Sequence, residues 1–469
     1  MFTNNLRYEF KLLLRSNWLM VILISILLLV GFAAFNGHKN VSKRHNDIAK
    51  MQEQQHKKDS AMLEILTKVE RGEKVGISSR SLPTSPMTIG YRHPRLAIMH
   101  PEPLSFISTG QSDMYTHFKS PTVYGNNFAL DYAEMINPVQ LLFGNFDLTF
   151  VFIFIIPLLI IAFTFNVLSK EKELGTLRLL GAQPISLTKW LFQKISIRYG
   201  IFTIITLIAL VSAIAITSFD ALSDTANIAG LVFMIAGYNL FWFALAFLIN
   251  LKINDSSKNA FTLVGIWLFI VLILPATINQ IGDTLYPTPS RLKMINEIRL
   301  IKKENEEKQN EIMSDYLRTH PELSAGNTGQ NFGFWHNYFA SEKVMEDKTK
   351  PILAAYETQL EKQQQLIGVF KYLSPAILMQ QSLNSISGTS ENHYNDYKKQ
   401  VFDFSNEWRN YLVPMLFKNE KFSLKKYESL PKFIYKNRIA NNLGYHVFAL
   451  FILSGLLLLV SVNTSLKDA

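Results

Sequence analysis

Leu148–Ser169 reads LTFVFIFIIPLLIIAFTFNVLS and carries no charged residue. A hydrocarbon core of about 30 Å needs about 20 apolar residues in a helix, so this stretch is long enough to cross a bilayer. Five others share its character: Ser16–Gly37, Tyr199–Phe219, Thr225–Leu251, Asn259–Gly282 and Val447–Leu466. The first follows Arg7, Lys11 and Arg15, as a signal peptide would. Its apolar run is long and no Ala-x-Ala-like cleavage site follows, so it reads as a retained anchor.

The composition agrees with a membrane protein. Of 469 residues, 48% are hydrophobic and only 18% charged, with 34 Phe, whereas water-soluble chains carry about a quarter charged residues. The mean hydropathy is only slightly positive, so a large polar part must accompany the spans. There is no cysteine, which excludes disulfides, thiolate metal sites and cysteine nucleophiles. The net charge of +10 raises nucleic acid as a partner. Its distribution argues otherwise.

Lys and Arg favour the cytoplasmic side of short loops. With the N-terminus inside, Arg7, Lys11 and Arg15 are cytoplasmic, and so is the loop after the second span with Lys170, Lys172, Arg178, Lys189, Lys194 and Arg198. Asp220–Asp224 holds two acids and no base, and falls outside. Lys252, Lys258 and Lys467 return to the inside. Both termini are therefore expected in the cytoplasm. Part of the basic excess is a topology signal, and no nucleic-acid partner is expected.

The expected fold is mainly α: a polytopic membrane protein of six transmembrane helices with two extracytoplasmic domains. Residues 1–37 form the cytoplasmic N-terminus and first span. Residues 38–147 form the first external domain, 148–282 the second to fifth spans, 283–438 the second external domain, and 439–469 the last span and C-terminus. In the first domain, His38–Arg71 reads as a helix continuing out of the membrane. Ser81–Pro138, rich in Pro, Gly, Ser and Tyr, favours turns and short strands, giving a mixed α/β domain. The second domain is mostly helical. Arg291–Leu317 and Ala340–Leu373 form a hairpin around a Pro- and Gly-containing tip at His320–Phe334, and Asn395–Phe417 is a further helix.

The stretch that carries mechanism is Ser169–Lys194, SKEKELGTLRLLGAQPISLTKWLFQK. A charged amphipathic segment with Glu171 and Glu173 leads into Gly175-Thr176-Leu177. Apolar residues including Leu180 follow, then a break at Pro184. Such an element suits a surface that offers acids and apolar knobs to a soluble partner. The bland alternative is a basic loop obeying the charge rule.

The order of residues resembles the coupling-helix region of ABC-2-like exporter permeases, where Glu-x-Glu-x-Gly-Thr-Leu recurs before a Pro. Tyr286-Pro287-Thr288-Pro289-Ser290-Arg291 is similar to a signature of one subgroup with large external insertions. So are Ser374-Pro375, Ser387-Gly388-Thr389-Ser390, Trp408-Arg409, and Leu104–Tyr115 with its Gly110-Gln111-Ser112-Asp113 core. The resemblance implies that Glu171, Glu173, Gly175, Thr176, Leu177, Leu180 and Pro184 dock a separate ATP-binding subunit. It also implies a second permease copy or a related permease, a bacterial inner membrane, and ATP with Mg held by the partner. The external domains leave room for a periplasmic partner. Read without the resemblance, Pro287, Pro289, Ser290 and Arg291 are a stiff exit from the span, because Pro fixes φ and ends the helix.

No Gly-x4-Gly-Lys-[Ser/Thr] phosphate loop occurs, so ATP hydrolysis by that route is not expected of this chain and neither is any cofactor. Ion-coupled carriers place ionisable residues inside their spans. Here the cores are nearly free of them, with His446 and Asp147 at edges and Asn166, Asn239 and Asn250 reading as interhelical contacts. His93, His100 and His117 with Asp113 are scattered, and no helix-spaced His pair suggests a metal. No catalytic residues are expected. The reading is an exporter permease. The alternatives are an ABC-type mechanotransmitter that drives external domains, and a membrane-anchored receptor or structural protein.

Overall fold

Ser16 marks where the chain enters its first span. In the computed structural model, which describes residues 2–78, 81–110, 116–123, 145–177, 186–319, 334–440 and 442–467, a short helix α1 (Phe2–Leu14) precedes it. The Ser16 hydroxyl then accepts the Leu19 N–H at 3.4 Å, capping the next helix. That helix, α2 (Asn17–Glu70), runs 54 residues without a break. Its first part is apolar. Its second part, from His38, is polar and continues far past the apolar zone.

The protein is mainly helical, with six helices among the described residues long and apolar enough to cross a membrane. They are α2, α4 (Leu148–Glu173), α5 (Leu187–Thr217), α6 (Thr225–Lys252), α7 (Ser256–Leu285) and α14 (Leu443–Lys467). Each contains most or all of one of the six apolar stretches. The central member is α6, which packs against α4, α5, α7 and α14. It buries Tyr238, Trp242, Phe243 and Phe247 almost completely.

Two of the spans share a device. Both α4 and α7 contain a π-helical turn, Val151–Ile155 and Phe269–Ile273, shortly before a proline, Pro157 and Pro275. Proline has no N–H, so it leaves a carbonyl of the preceding turn without its helical donor. In an apolar surround such an orphan costs several kcal/mol, about the cost of an unsatisfied group. Side chains replace the lost donor. The Tyr238 hydroxyl donates to the Ile153 carbonyl at 3.1 Å, and the Ser374 hydroxyl donates to the Ile270 carbonyl at 3.1 Å.

Ser374 also explains the Ser374-Pro375 pair. Its Oγ caps α11 (Pro375–Ile386) by accepting the Ile377 N–H. Pro375 sits at the first helical position, where a missing N–H costs nothing. This twelve-residue helix belongs to the long segment between α7 and α14, yet it is buried among the spans. Leu378, Met379 and Leu383 join the same apolar core as α6.

The rest of that segment forms α8 (Arg291–Glu307), α9 (Gln309–Thr319), α10 (Phe334–Phe370), α12 (Glu391–Phe417) and α13 (Leu424–Glu428). Helices α8 and α9 pack along α10, the hairpin expected from the sequence. Its tip, with Pro321, Gly326, Gly329 and Gly333, lies outside the described residues. The other long segment contributes the end of α2, α3 (Pro86–Arg92) and a two-residue antiparallel pair, β1 (Ala97–Ile98) with β2 (Phe118–Lys119), in which Ala97 lies opposite Lys119.

The two long segments do not keep separate cores. Met62 and Leu66 of α2, Met87 and Ile89 of α3 and Val123 pack with Ile312, Phe339, Trp408 and Leu412 from the other segment. A smaller cluster joins Ala97 and Met99 to Tyr397, Val401 and Phe404. The Asp59–Arg95 ion pair, with Arg95 stacked at 4.7 Å over Tyr427, ties α2 to both. Together they make one distal body at the far end of α2.

Candidate functional site

Glu171, Glu173, Gly175, Thr176 and Leu177 lie together at the end of α4, beside α1 and the starts of α5 and α7. Leu180 and Pro184 lie outside the described residues. The end of α4 is first anchored by amides. Asn250 Nδ2 donates to the Thr164 and Ala246 carbonyls at 3.0 and 2.9 Å. Its Oδ1 accepts the Leu168 N–H at 3.4 Å and the Asn259 side chain at 3.5 Å. Both amides are fully buried, so these bonds satisfy groups that would otherwise be costly.

Beyond Ser169 the two glutamates are committed within the chain. Glu171 accepts the Thr176 hydroxyl and, at 3.1 Å, the Lys194 ammonium. Lys194 also lies 3.6 Å from Glu9 of α1 and 4.2 Å over the Trp190 ring. Glu9 is held at 3.5 Å by Arg198, whose guanidinium donates to the Phe163 carbonyl. Glu173 Oε1 accepts the Ser256 N–H at 3.2 Å, which caps the start of α7, and the Ser169 and Ser256 hydroxyls meet at 2.8 Å. The acids thus bind the segment to α1, α5 and α7.

Outward the segment exposes Lys172, Glu173, Leu174 and Gly175. Leu174 is 65% exposed. Gly175 follows at φ +75°, the left-handed conformation that favours glycine after a helix end, and its N–H bonds the Lys172 carbonyl at 3.0 Å. Leu177 turns back onto the bundle core. From the sequence, acids and apolar knobs are expected on this surface. In the structure Glu171 and Thr176 bond within the chain, Glu173 accepts the Ser256 N–H while remaining exposed, and Leu174 is exposed beside it.

Glu9 and Lys194 were not legible as partners in the sequence. The one available signal is that Glu9 is the sole acid in the first 46 residues, amid Arg7, Lys11 and Arg15. An isolated acid on a basic amphipathic helix invites a partner elsewhere.

The other motif residues fall at the opposite end of the bundle. Pro287, Pro289 and Ser290 form an exposed extended link between α7 and α8, and Ser290 makes no side-chain cap. Arg291 begins α8, and its side chain lies outside the described residues. The Leu104–Gly110 and Ser387–Ser390 stretches meet one another. Ser108 donates to Asn384, and Gly110 and Gly388 both take positive φ where Thr389 and Glu102 press against them. Asp147 closes the junction, accepting the Thr109 and Phe150 N–H groups at 2.9 and 2.8 Å. Burial pushes its carboxyl up to about 6. Gln111, Ser112 and Asp113 lie outside the described residues. Of Trp408-Arg409, the ring is buried in the distal core and Arg409 pairs with Glu346 of α10 at 3.1 Å. His93, His100 and His117 do not converge, and no metal-holding group occurs among the described residues.

Comparison with known proteins bears on the distal part. A domain of unknown function, DUF3526, matches residues 291–436, from the start of α8 to the extended stretch before α14. No curated protein matches the chain.

Proposed function

We propose that this chain is the membrane-spanning subunit of an ABC-type exporter of the ABC-2-like kind, powered by a separate ATP-binding subunit. The observation that carries the reading is the Glu171–Leu177 segment. It is an exposed leucine on a glycine turn, braced by the Glu171–Lys194 ion pair to α5, through Lys194 to Glu9 of α1, and by a hydrogen bond from the Ser256 N–H of α7. A partner pushing on Leu174 would press on a segment already fastened to α1, α5 and α7. ATP and Mg belong to the partner, which fits the absence of a phosphate loop from the sequence. In this reading the membrane is a bacterial inner membrane. The Lys and Arg placement puts α1 and this segment in the cytoplasm and the distal body outside. Two copies, or this chain with a related one, complete the transporter.

The test is co-purification with a soluble ATPase encoded beside it. Leu174→Asp and Gly175→Val should each abolish the complex and the stimulated ATP hydrolysis while the protein stays folded in detergent. Retention of both by both variants would refute the docking assignment. A second reading is favoured by the single core that joins both external segments to the unbroken α2: the ATPase would then move the distal body without moving a substrate through the bilayer. A cargo whose export stops with the ATPase would exclude it.

A further inference from the structure

Lys172, Lys252 and Lys258 line one pocket of ≈ 540 Å³ with Glu173, Ile253, Asn254 and Asp255. It sits where α4 and α6 end and α7 begins. None of the three lysines makes an ion pair among the described residues. The two acids in the pocket are turned to backbone: Glu173 accepts the Ser256 N–H, and Asp255 accepts the Lys258 N–H at 2.8 Å.

An apolar track leaves this pocket along α7. Lys258, Phe261, Gly265, Leu268 and Leu272 follow one another at three- and four-residue steps, so they share a helix face. Phe261 is 86% exposed, Leu268 and Leu272 are exposed, and nothing approaches the space above Gly265. The glycine leaves a dent between two apolar side chains.

We infer that this is a seat for one anionic phospholipid, with its phosphate among the three lysines and an acyl chain in the Phe261–Gly265–Leu268 dent. The charge supply and the apolar track meet at the depth where a headgroup and its chains meet. Each lysine near an anionic headgroup is worth about a fivefold change in affinity. The inference does not depend on ATPase docking.

Full-length protein in detergent is titrated with fluorescent short-chain phosphatidylglycerol and with phosphatidylcholine of the same chains. Phosphatidylglycerol should bind about a hundredfold tighter, three contributions of about fivefold each, weakening with salt. The K172Q/K252Q/K258Q variant should lose that selectivity, whereas K303Q/K350Q/K418Q, an equal charge loss on the distal body, should keep it. The single variant Lys252→Gln, expected to lose about fivefold, serves if the triple variant does not fold. Phe261→Ser should weaken both lipids alike. Unchanged selectivity in the lysine variants would overturn the inference. So would displacement of the lipid by millimolar inorganic phosphate, which would assign the lysines to a free anion. Spontaneous disulfide dimers of Phe261→Cys in a bilayer would also overturn it, because a second copy would then cover the track.

Discussion

Replacing Lys194 with Met removes one charge from the proximal network and keeps most of the side-chain volume. Lys194 lies 3.1 Å from Glu171 and 3.6 Å from Glu9, with its side chain 17% exposed and that of Glu9 6% exposed. Breaking a fully buried pair costs about 3–5 kcal/mol, mostly from the charge left unpaired. Here the cost is smaller for two reasons. Glu171 is partly exposed and keeps the Thr176 hydroxyl, and Glu9 keeps Arg198. A value of about 2 kcal/mol follows, felt where Lys194 bridges α1 to the Glu171–Leu177 segment. Hydrogen–deuterium exchange of the Lys172–Leu177 amides reads it locally: about 2 kcal/mol corresponds to roughly 30-fold faster exchange when opening is in fast equilibrium. Glu9→Gln should accelerate the same amides although it lies far away in sequence, and the double variant should cost less than the sum. Exchange within threefold of the wild type in both single variants would refute the claim that these ion pairs brace the segment.

Gly37→Ala tests the opposite end of the first span. A Cβ there would fall 2.0 Å from the Phe106 carbonyl oxygen, so α2 and the 104–110 stretch must separate, at about 1–3 kcal/mol. Gly31→Ala, with nothing near its Cβ, should be neutral or stabilising in the same denaturation assay. Asp147 makes stability depend on pH. Burial raises its carboxyl from the ordinary 3.8 to about 6, so the folded state holds a proton that the unfolded state has released. Its contribution is greatest below about pH 4 and declines as pH rises to about 6, by up to about 3 kcal/mol. Asp147→Asn should flatten that part of the pH profile measured by chemical denaturation. An unchanged profile would contradict the assignment.

The spans were legible because each is a local property: about 20 residues, no charge, and a boundary marked by Lys, Arg or a cap. The continuation of α2 past His38 was legible for the same reason, since its polar half holds no helix breaker until Gly72. Helix α11 was not. Twelve residues are too few to announce a span, and its burial depends on the π turn of α7 that Ser374 completes. In the Glu171–Leu177 segment the residue order did not show which groups bond within the chain. Glu171 and Glu173 look outward on a sequence because their partners, Lys194 and the Ser256 N–H, lie 23 and 83 residues away. Likewise Met62 and Trp408 give no sign of sharing a core until the chain is folded.

The unbroken α2 also fixes an amplitude. About 50 Å of it projects beyond Gly37, at 1.5 Å per residue. A rigid rod of that length turns a tilt of about 5° in the apolar bundle into about 4 Å at Glu70. Met62 and Leu66 near its tip are locked into the distal core, so the whole body would swing rather than a loop. The gain of such a lever depends on its length and stiffness, not on its surface chemistry. Charge substitutions between His38 and Lys58 should leave the stroke intact. A pair of glycines inserted there would disconnect the two ends while leaving each end folded.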